Sequence, residues 1–191
     1  NFDQGNTFYA DDFLGFYRDR FEEARTEKEV GTALYYSSEF VNSAFSNLVE
    51  SNSNLLKEPV FAYLHTVDPH DPYTPEKPFL KFKKEPAGRD DLAFRETMLR
   101  ENAQRELSAE DLDFIVSLYD CEILHNDYYF GEFIKYLKHY GIYDSYLIVL
   151  IADHGEQFKE HGGFLHGYSI YNEEIHVPIV VKFPHREFAG A

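Results

Sequence analysis

Apolar positions fall into two patterns along this chain, repeats at three and four residues and short unbroken runs that end at Gly, Pro or Asp. The first pattern predicts amphipathic helices and the second buried strands. Helical spacing runs from Asp12 to about Lys28 through Phe13, Phe16, Tyr17 and Phe21. It recurs from Ser38 through Phe40, Val41, Ala44, Phe45, Leu48 and Val49, and stops at the polar turn Ser51-Asn52-Ser53-Asn54. A third helix opens at Ser108-Ala-Glu-Asp111, a capping-box-like start with Asp where Glu or Gln is preferred. It carries Leu112, Ile115, Val116, Leu118, Ile123, Phe130, Phe133, Ile134 and Leu137 to a stop at Tyr140-Gly141, as one long helix or two abutting ones. Spacing over Tyr168–His176 is more weakly helical.

Unbroken apolar runs predict strands at Pro59–Thr66, Leu147–Ile151 and Val177–Phe183, the last with Pro178 tolerated near its start. Helix alternating with strand implies an α/β fold, a partial three-layer αβα arrangement on a mostly parallel sheet. Residues 1–37 read as a polar lead-in with a helix, 38–184 as the core βα elements, and 76–106 as a charged surface excursion. The whole of 1–191 is expected to form one incomplete domain.

Composition narrows the partners. The 34 acidic and 18 basic residues give a formal charge of −16, which disfavours nucleic acid and anionic membranes as partners. No apolar run is long enough to span a bilayer. An anionic small substrate would therefore need a local positive centre such as a metal. Cys121 is the only cysteine and sits mid-helix among apolar neighbours, so it reads as packing. The Tyr and Phe enrichment of that helix reads as core as well.

The candidate chemistry lies at strand ends. The run Leu147–Ile151 stops at Asp153-His154-Gly155, and ligands of open α/β sheets sit beyond the carboxyl ends of strands. Asp153 and His154 offer one carboxylate oxygen and one imidazole, and Gly155 permits the turn that lets both reach one cation. His161 and His166 follow in a Gly-rich segment and can supply a further ligand, a general acid or a cation facing an anionic oxygen. After the first strand, three prolines within Pro69–Pro75 fix the turn that carries His70, which can cap that turn or contact a ligand. His65, inside the predicted strand, reads as a hydrogen-bonded core histidine. Asp11-Asp12 reads as a helix N-cap rather than a metal pair. There is no Gly-x-Gly-x-x-Gly, P-loop or Gly-x-Ser-x-Gly to support nucleotide binding or an α/β-hydrolase.

Taken together, Val67-Asp-Pro-His-Asp-Pro-Tyr73, Tyr119-Asp-Cys-Glu-Ile123 with Asp127 and Phe130-Gly131, Gly141-Ile-Tyr-Asp144, and Asp153-His-Gly-Glu156 through His161-Gly and His166-Gly167 to Val177-Pro178 resemble the sulfatases of the alkaline phosphatase superfamily. The match runs in order from about residue 55 to 184 and resembles the middle-to-C-terminal part of that catalytic domain. The resemblance implies that Asp153 and His154 bind a divalent metal, usually Ca²⁺ in the family. Many sulfatases have Asn at the position of His154, and the Asp-His form also occurs in phosphonate and phosphate ester hydrolases, which admits Mn²⁺ or Zn²⁺. It further implies that His70 contacts sulfate and leaving-group oxygens, and that His166 neutralises the departing ester oxygen. It gives His161 no role.

Family members carry a Cys/Ser-x-Pro/Ala-x-Arg motif converted to formylglycine, the nucleophile, and an earlier acidic metal pair. These 191 residues contain no such motif, since Cys121 is followed by Glu-Ile-Leu-His. The resemblance thus implies a fragment of a longer sulfatase, inactive alone, with a small-molecule or glycan sulfate ester as the parent's substrate. A phosphonate monoester or phosphodiester hydrolase and a catalytically inert module are the alternatives. Members of the family are often periplasmic, secreted or lysosomal.

Overall fold

The computed structural model describes residues 37–52, 54–57, 59–71, 73–84 and 107–188. The helix predicted over 12–28 and the Asp11-Asp12 pair lie outside them, as does most of the 76–106 excursion.

One long helix organises the rest. Helix α2 (Ala109–His139) follows the shorter α1 (Ser38–Ser51), and at 31 residues is about 46 Å long. Its start is a reciprocal capping box: Ser108 Oγ accepts from the Asp111 amide at 3.1 Å, and Asp111 accepts from the Ser108 amide at 3.4 Å. The shorter Asp does the work usually given to Glu. Its end is a Schellman turn, with the Ile142 amide bonded to the Leu137 carbonyl at 3.1 Å and that of Gly141 to Lys138 at 3.0 Å. Gly141 sits at φ +69°, a conformation that a Cβ penalises. The two candidate helices of the sequence are therefore one.

Two apolar clusters form along α2. Near its N-terminal half Phe114, Ile115 and Leu118 pack with Tyr73, Phe164 and Leu165. Near its C-terminal half Leu137 packs with Phe45 and Val49 of α1, with Phe133, Ile134 and Ile148 around them. The side chains of α1 also reach across to α2: Asn42 Nδ2 donates to the Tyr129 carbonyl, and the Tyr136 hydroxyl to that of Ser46. Cys121 is fully buried in α2, in keeping with a packing role.

Strands β1 (Ile148–Ile151), β2 (Gln157–Phe158) and β3 (Phe164–Leu165) precede a single helical turn α3 (Asn172–Ile175) and β4 (Ile179–Lys182). The β1 strand pairs antiparallel with β4, Val149 opposite Val181 and Ile151 opposite Ile179, while β2 and β3 form a small antiparallel hairpin. An α/β architecture is present, and the strand pairs among the described residues run antiparallel rather than parallel. The predicted strand at 59–66 forms no regular element and has no sheet partner among the described residues. Its Phe61 is 92 % exposed, and Ile151 and Ile179 in β1 and β4 are also exposed. The apolar runs predict burial on both faces, which is not observed at these positions. His65 is corrected with its strand: it lies exposed, 3.4 Å from the Tyr63 hydroxyl, and is no core histidine.

The load on α2 sets the stability. Phe114→Ala removes a fully buried ring and is expected to cost about 3–5 kcal/mol, whereas Ser108→Ala removes one cap worth about 1 kcal/mol. Urea unfolding of the two variants checks the order, and equal losses would contradict a core centred on this helix.

Candidate functional site

Three segments far apart in sequence deliver one histidine each to a common point. His70 rides on the turn after the 59–66 run, closed by a hydrogen bond from the His70 amide to the Val67 carbonyl at 2.8 Å. His154 follows β1, and His166 follows β3. The rings of His154 and His166 stack with centroids 3.8 Å apart, and His70 meets His166 edge-on at 4.9 Å. One nitrogen from each of the three lies within 4.8 Å of the others.

In each ring Nδ1 is engaged by a neighbouring oxygen. His70 Nδ1 faces the Asp71 carbonyl at 2.6 Å, His154 Nδ1 the Gly155 carbonyl at 2.9 Å, and His166 Nδ1 the Glu156 carboxylate at 2.9 Å. A proton held on Nδ1 by such a partner makes Nε2 the nitrogen with which the ring meets a ligand. The Asp153 carboxylate is largely exposed and lies 3.8 Å from His154 Nε2. That is too long for a hydrogen bond and within the spacing of two ligands on one ion, about 3–4 Å. This donor pair fits a divalent cation, although Asp153 stands beside the three-histidine group rather than within it.

Gly155 is what lets the loop turn here. A Cβ at this position would lie 2.1 Å from the Glu173 carbonyl oxygen, and the Gly155 amide donates to the Glu174 carbonyl at 2.7 Å. Across the same loop the buried Glu174 carboxylate accepts from Gln157 Nε2 at 2.6 Å, from the Ser169 hydroxyl at 2.7 Å and from the Gly167 amide at 2.7 Å. The residue after His166 is thereby fixed.

Glu156 received no role from the sequence, although it stands inside the Asp153-His-Gly-Glu156 run. It is buried, and burial pushes its carboxyl above the ordinary range against the opposing pull of His166. Burial, and then the charge of Glu156, raise the Tyr73 and Tyr119 phenols as well, so both remain protonated. The structure does not bring His161 to the cluster: its ring stacks on Tyr171 and its Nδ1 pairs with the Glu173 carboxylate.

Comparison with known proteins places this geometry in context. A family model described as Sulfatase matches residues 2–189. Among curated proteins, an endo-4-O-sulfatase of Bacteroides thetaiotaomicron is 26 % identical over 140 residues, covering 71 % of this chain and 26 % of that protein. Two solved structures share the fold. The phosphonate monoester hydrolase of Agrobacterium radiobacter matches with a TM-score of 0.61 at 23 % identity, over 93 % of this chain and 42 % of that one. The corresponding enzyme of Silicibacter pomeroyi gives 0.56 at 23 %, over 78 % and 34 %. The chain thus spans between a quarter and under half of the length of these relatives.

Glu174 yields a pH test. Its carboxyl is held below the ordinary carboxylate range, first by the Ser169 hydrogen bond. A depressed folded-state value means that the ionised form supports the loop: the support is complete above the ordinary carboxylate value and is lost as pH falls through the depressed one. Hydrogen exchange at Gly167, corrected for its intrinsic pH dependence, is expected to show this loss in the wild type. In Glu174→Gln protection should be lower at neutral pH and flat with acid. Parallel acid profiles in the two proteins would remove Glu174 as the latch.

Proposed function

The chain belongs to the sulfatase family, and from that premise we propose that these residues are part of a longer, metal-dependent hydrolase that cleaves sulfuric esters. The observation that supports this reading is the convergence of His70, His154 and His166 from three separate segments, each ring engaged through Nδ1. Such a cluster suits an oxyanion whose charge shifts to a leaving oxygen during reaction.

The residues divide the work by their surroundings. Asp153 and His154 would hold the divalent cation, Ca²⁺ in the first instance with Mn²⁺ or Zn²⁺ as alternatives. When bound, it supplies charge neutralisation to the sulfate. The nucleophile expected for the family, formylglycine, belongs to residues other than these. His70, with Nδ1–H donating to the Asp71 carbonyl, presents Nε2–H to a sulfate or ester oxygen in its imidazolium form. His166 carries the proton for the departing alcohol: with Nδ1–H donating to Glu156, its imidazolium form presents a second proton on Nε2. Rupture of the sulfur–oxygen bond then leaves an oxygen that takes this proton, and the alcohol departs neutral.

The pair Asp153-His154 favours one further reading, a phosphonate monoester or phosphodiester hydrolase. Both ester types need a cation and a proton donor at the same places. Turnover of aryl sulfate and aryl phosphonate esters by the full-length protein separates them, and absence of sulfate turnover would sink the sulfatase reading. His166→Asn tests the proton role. We expect kcat to fall about 10²–10⁴-fold on esters of poorly acidic alcohols and far less on nitrophenyl esters, whose leaving group needs no proton. An equal loss on both would assign His166 to binding.

A further inference from the structure

A second group of metal-ligating side chains lies behind the turn that carries His70. Asp68, Glu122 and His125 bring one ligand atom each within 4.8 Å of one another. Unlike most acidic clusters this one is shielded. Glu122 and His125 are each 5 % exposed, and the rings of Phe79 and Tyr129 lie 4.7 and 5.0 Å from that of His125.

The distances do not describe a hydrogen-bonded triad. His125 Nδ1 is 3.4 Å from Asp68 Oδ2 and 3.7 Å from Glu122 Oε2. A charge-assisted hydrogen bond between such groups closes to about 2.7–2.9 Å. Neither nitrogen of the His125 ring makes a hydrogen bond, although the residue is 95 % buried. Leaving a buried imidazole unsatisfied between two carboxylates is costly. Two ligands held at about 2.1 Å by a tetrahedral ion stand about 3.4 Å apart, close to the 3.4 and 3.7 Å from His125 Nδ1 to the two carboxylates.

We propose that Asp68, Glu122 and His125 form a buried site for a first-row divalent cation, with Zn²⁺ the best match to one imidazole and two carboxylates. A dication with neutral His125 cancels the two carboxylate charges. The surroundings suit this role. Asp68 Oδ2 accepts from the Ser38 amide at 2.7 Å and from the Ser38 hydroxyl at 3.0 Å, and Glu122 Oε1 accepts from the Thr74 amide at 2.7 Å. The Ser38 hydroxyl also lies 3.0 Å from Asn126 Oδ1. Its single proton can turn there and release a lone pair of Asp68 for the ion, which joins the start of α1, the His70 turn and α2. The ion would thus set the position of His70 without touching a substrate.

The test is zinc content of the full-length protein after equilibration with Zn²⁺ and exhaustive dialysis, using a background in which Asp153→Ala, His154→Ala and His166→Ala disable the half-buried histidine cluster. One zinc per chain is expected to remain. Adding His125→Gln should remove it, and adding Glu122→Gln in its place should weaken binding at least tenfold. X-ray absorption at the zinc edge of the background protein should show a single imidazole among oxygen ligands at about 2.0–2.1 Å. No bound zinc in the folded background protein overturns the proposal, as does a zinc with no imidazole or with two or more. If the His125 variant fails to fold by circular dichroism, the ligand count from the background protein decides alone. A full zinc equivalent retained by a folded His125 variant also refutes the site.

Discussion

A buried carboxylate has to find donors, and in this strongly acidic chain that requirement does much of the positioning. Asp111 and Ser108 close the start of α2. Asp68 takes the Ser38 amide, Glu122 the Thr74 amide, and Glu174 the Gly167 amide. Glu156 takes the ring of His166. Each acid is buried or nearly so, and each partner lies on a segment that begins an element or carries a histidine of the site. An unpaired carboxylate in such surroundings costs several kcal/mol, so these contacts discriminate strongly between one loop conformation and its neighbours. In the three-imidazole cluster a buried acid backs His166, while backbone carbonyls of Asp71 and Gly155 hold the rings of His70 and His154.

That mechanism was poorly legible from the sequence, and the reason is physical. Helical periodicity is local, so α1, α2 and the β1 and β4 runs were readable to within a few residues, as were the capping box at Ser108 and the stop at Gly141. Carboxylate pairing is not local. Glu122 to Thr74 and Asp68 to Ser38 join residues 48 and 30 positions apart, and no pattern announces them. Strands β2 and β3, with two residues each, are too short to carry a period. The 59–66 run reads as a strand from its apolar composition, but among the described residues it has no sheet partner and its Phe61 and Tyr63 are exposed, because composition records a tendency to be buried and not the contact that would satisfy it.

The candidate site divides along the same line. From the residues alone, the strand end at Asp153-His154 was the strongest reading, His70 was open between two roles, and His161 and His166 were indistinguishable members of one Gly-rich segment. Resemblance to a family separated the last two. The structure adds a physical reason for the separation: His166 has the buried Glu156 behind its ring, whereas His161 is occupied by Glu173 and Tyr171. A histidine already paired with a carboxylate and stacked on a tyrosine has little left with which to meet a substrate.

The sheet and the site are supported in different ways, and this bears on how the site is held. The β1–β4 pair exposes much of its apolar surface, with Ile151 and Ile179 more than half exposed. Its burial contributes little to holding His154, which follows β1 by only three residues. What fixes the segment is the contact between Gly155 and the 173–174 backbone, where no side chain would fit. His166 is held by the same segment through Glu174, and the two rings stack. His70 reaches them from the other direction, on a turn bound to α2 by Asn126 Nδ2 donating to the Asp68 carbonyl at 2.7 Å. The three rings therefore meet where two anchored bodies touch, the 153–174 loops and the α2-bound turn. Geometry at that junction depends on the anchors on both sides more than on the strand that points to it.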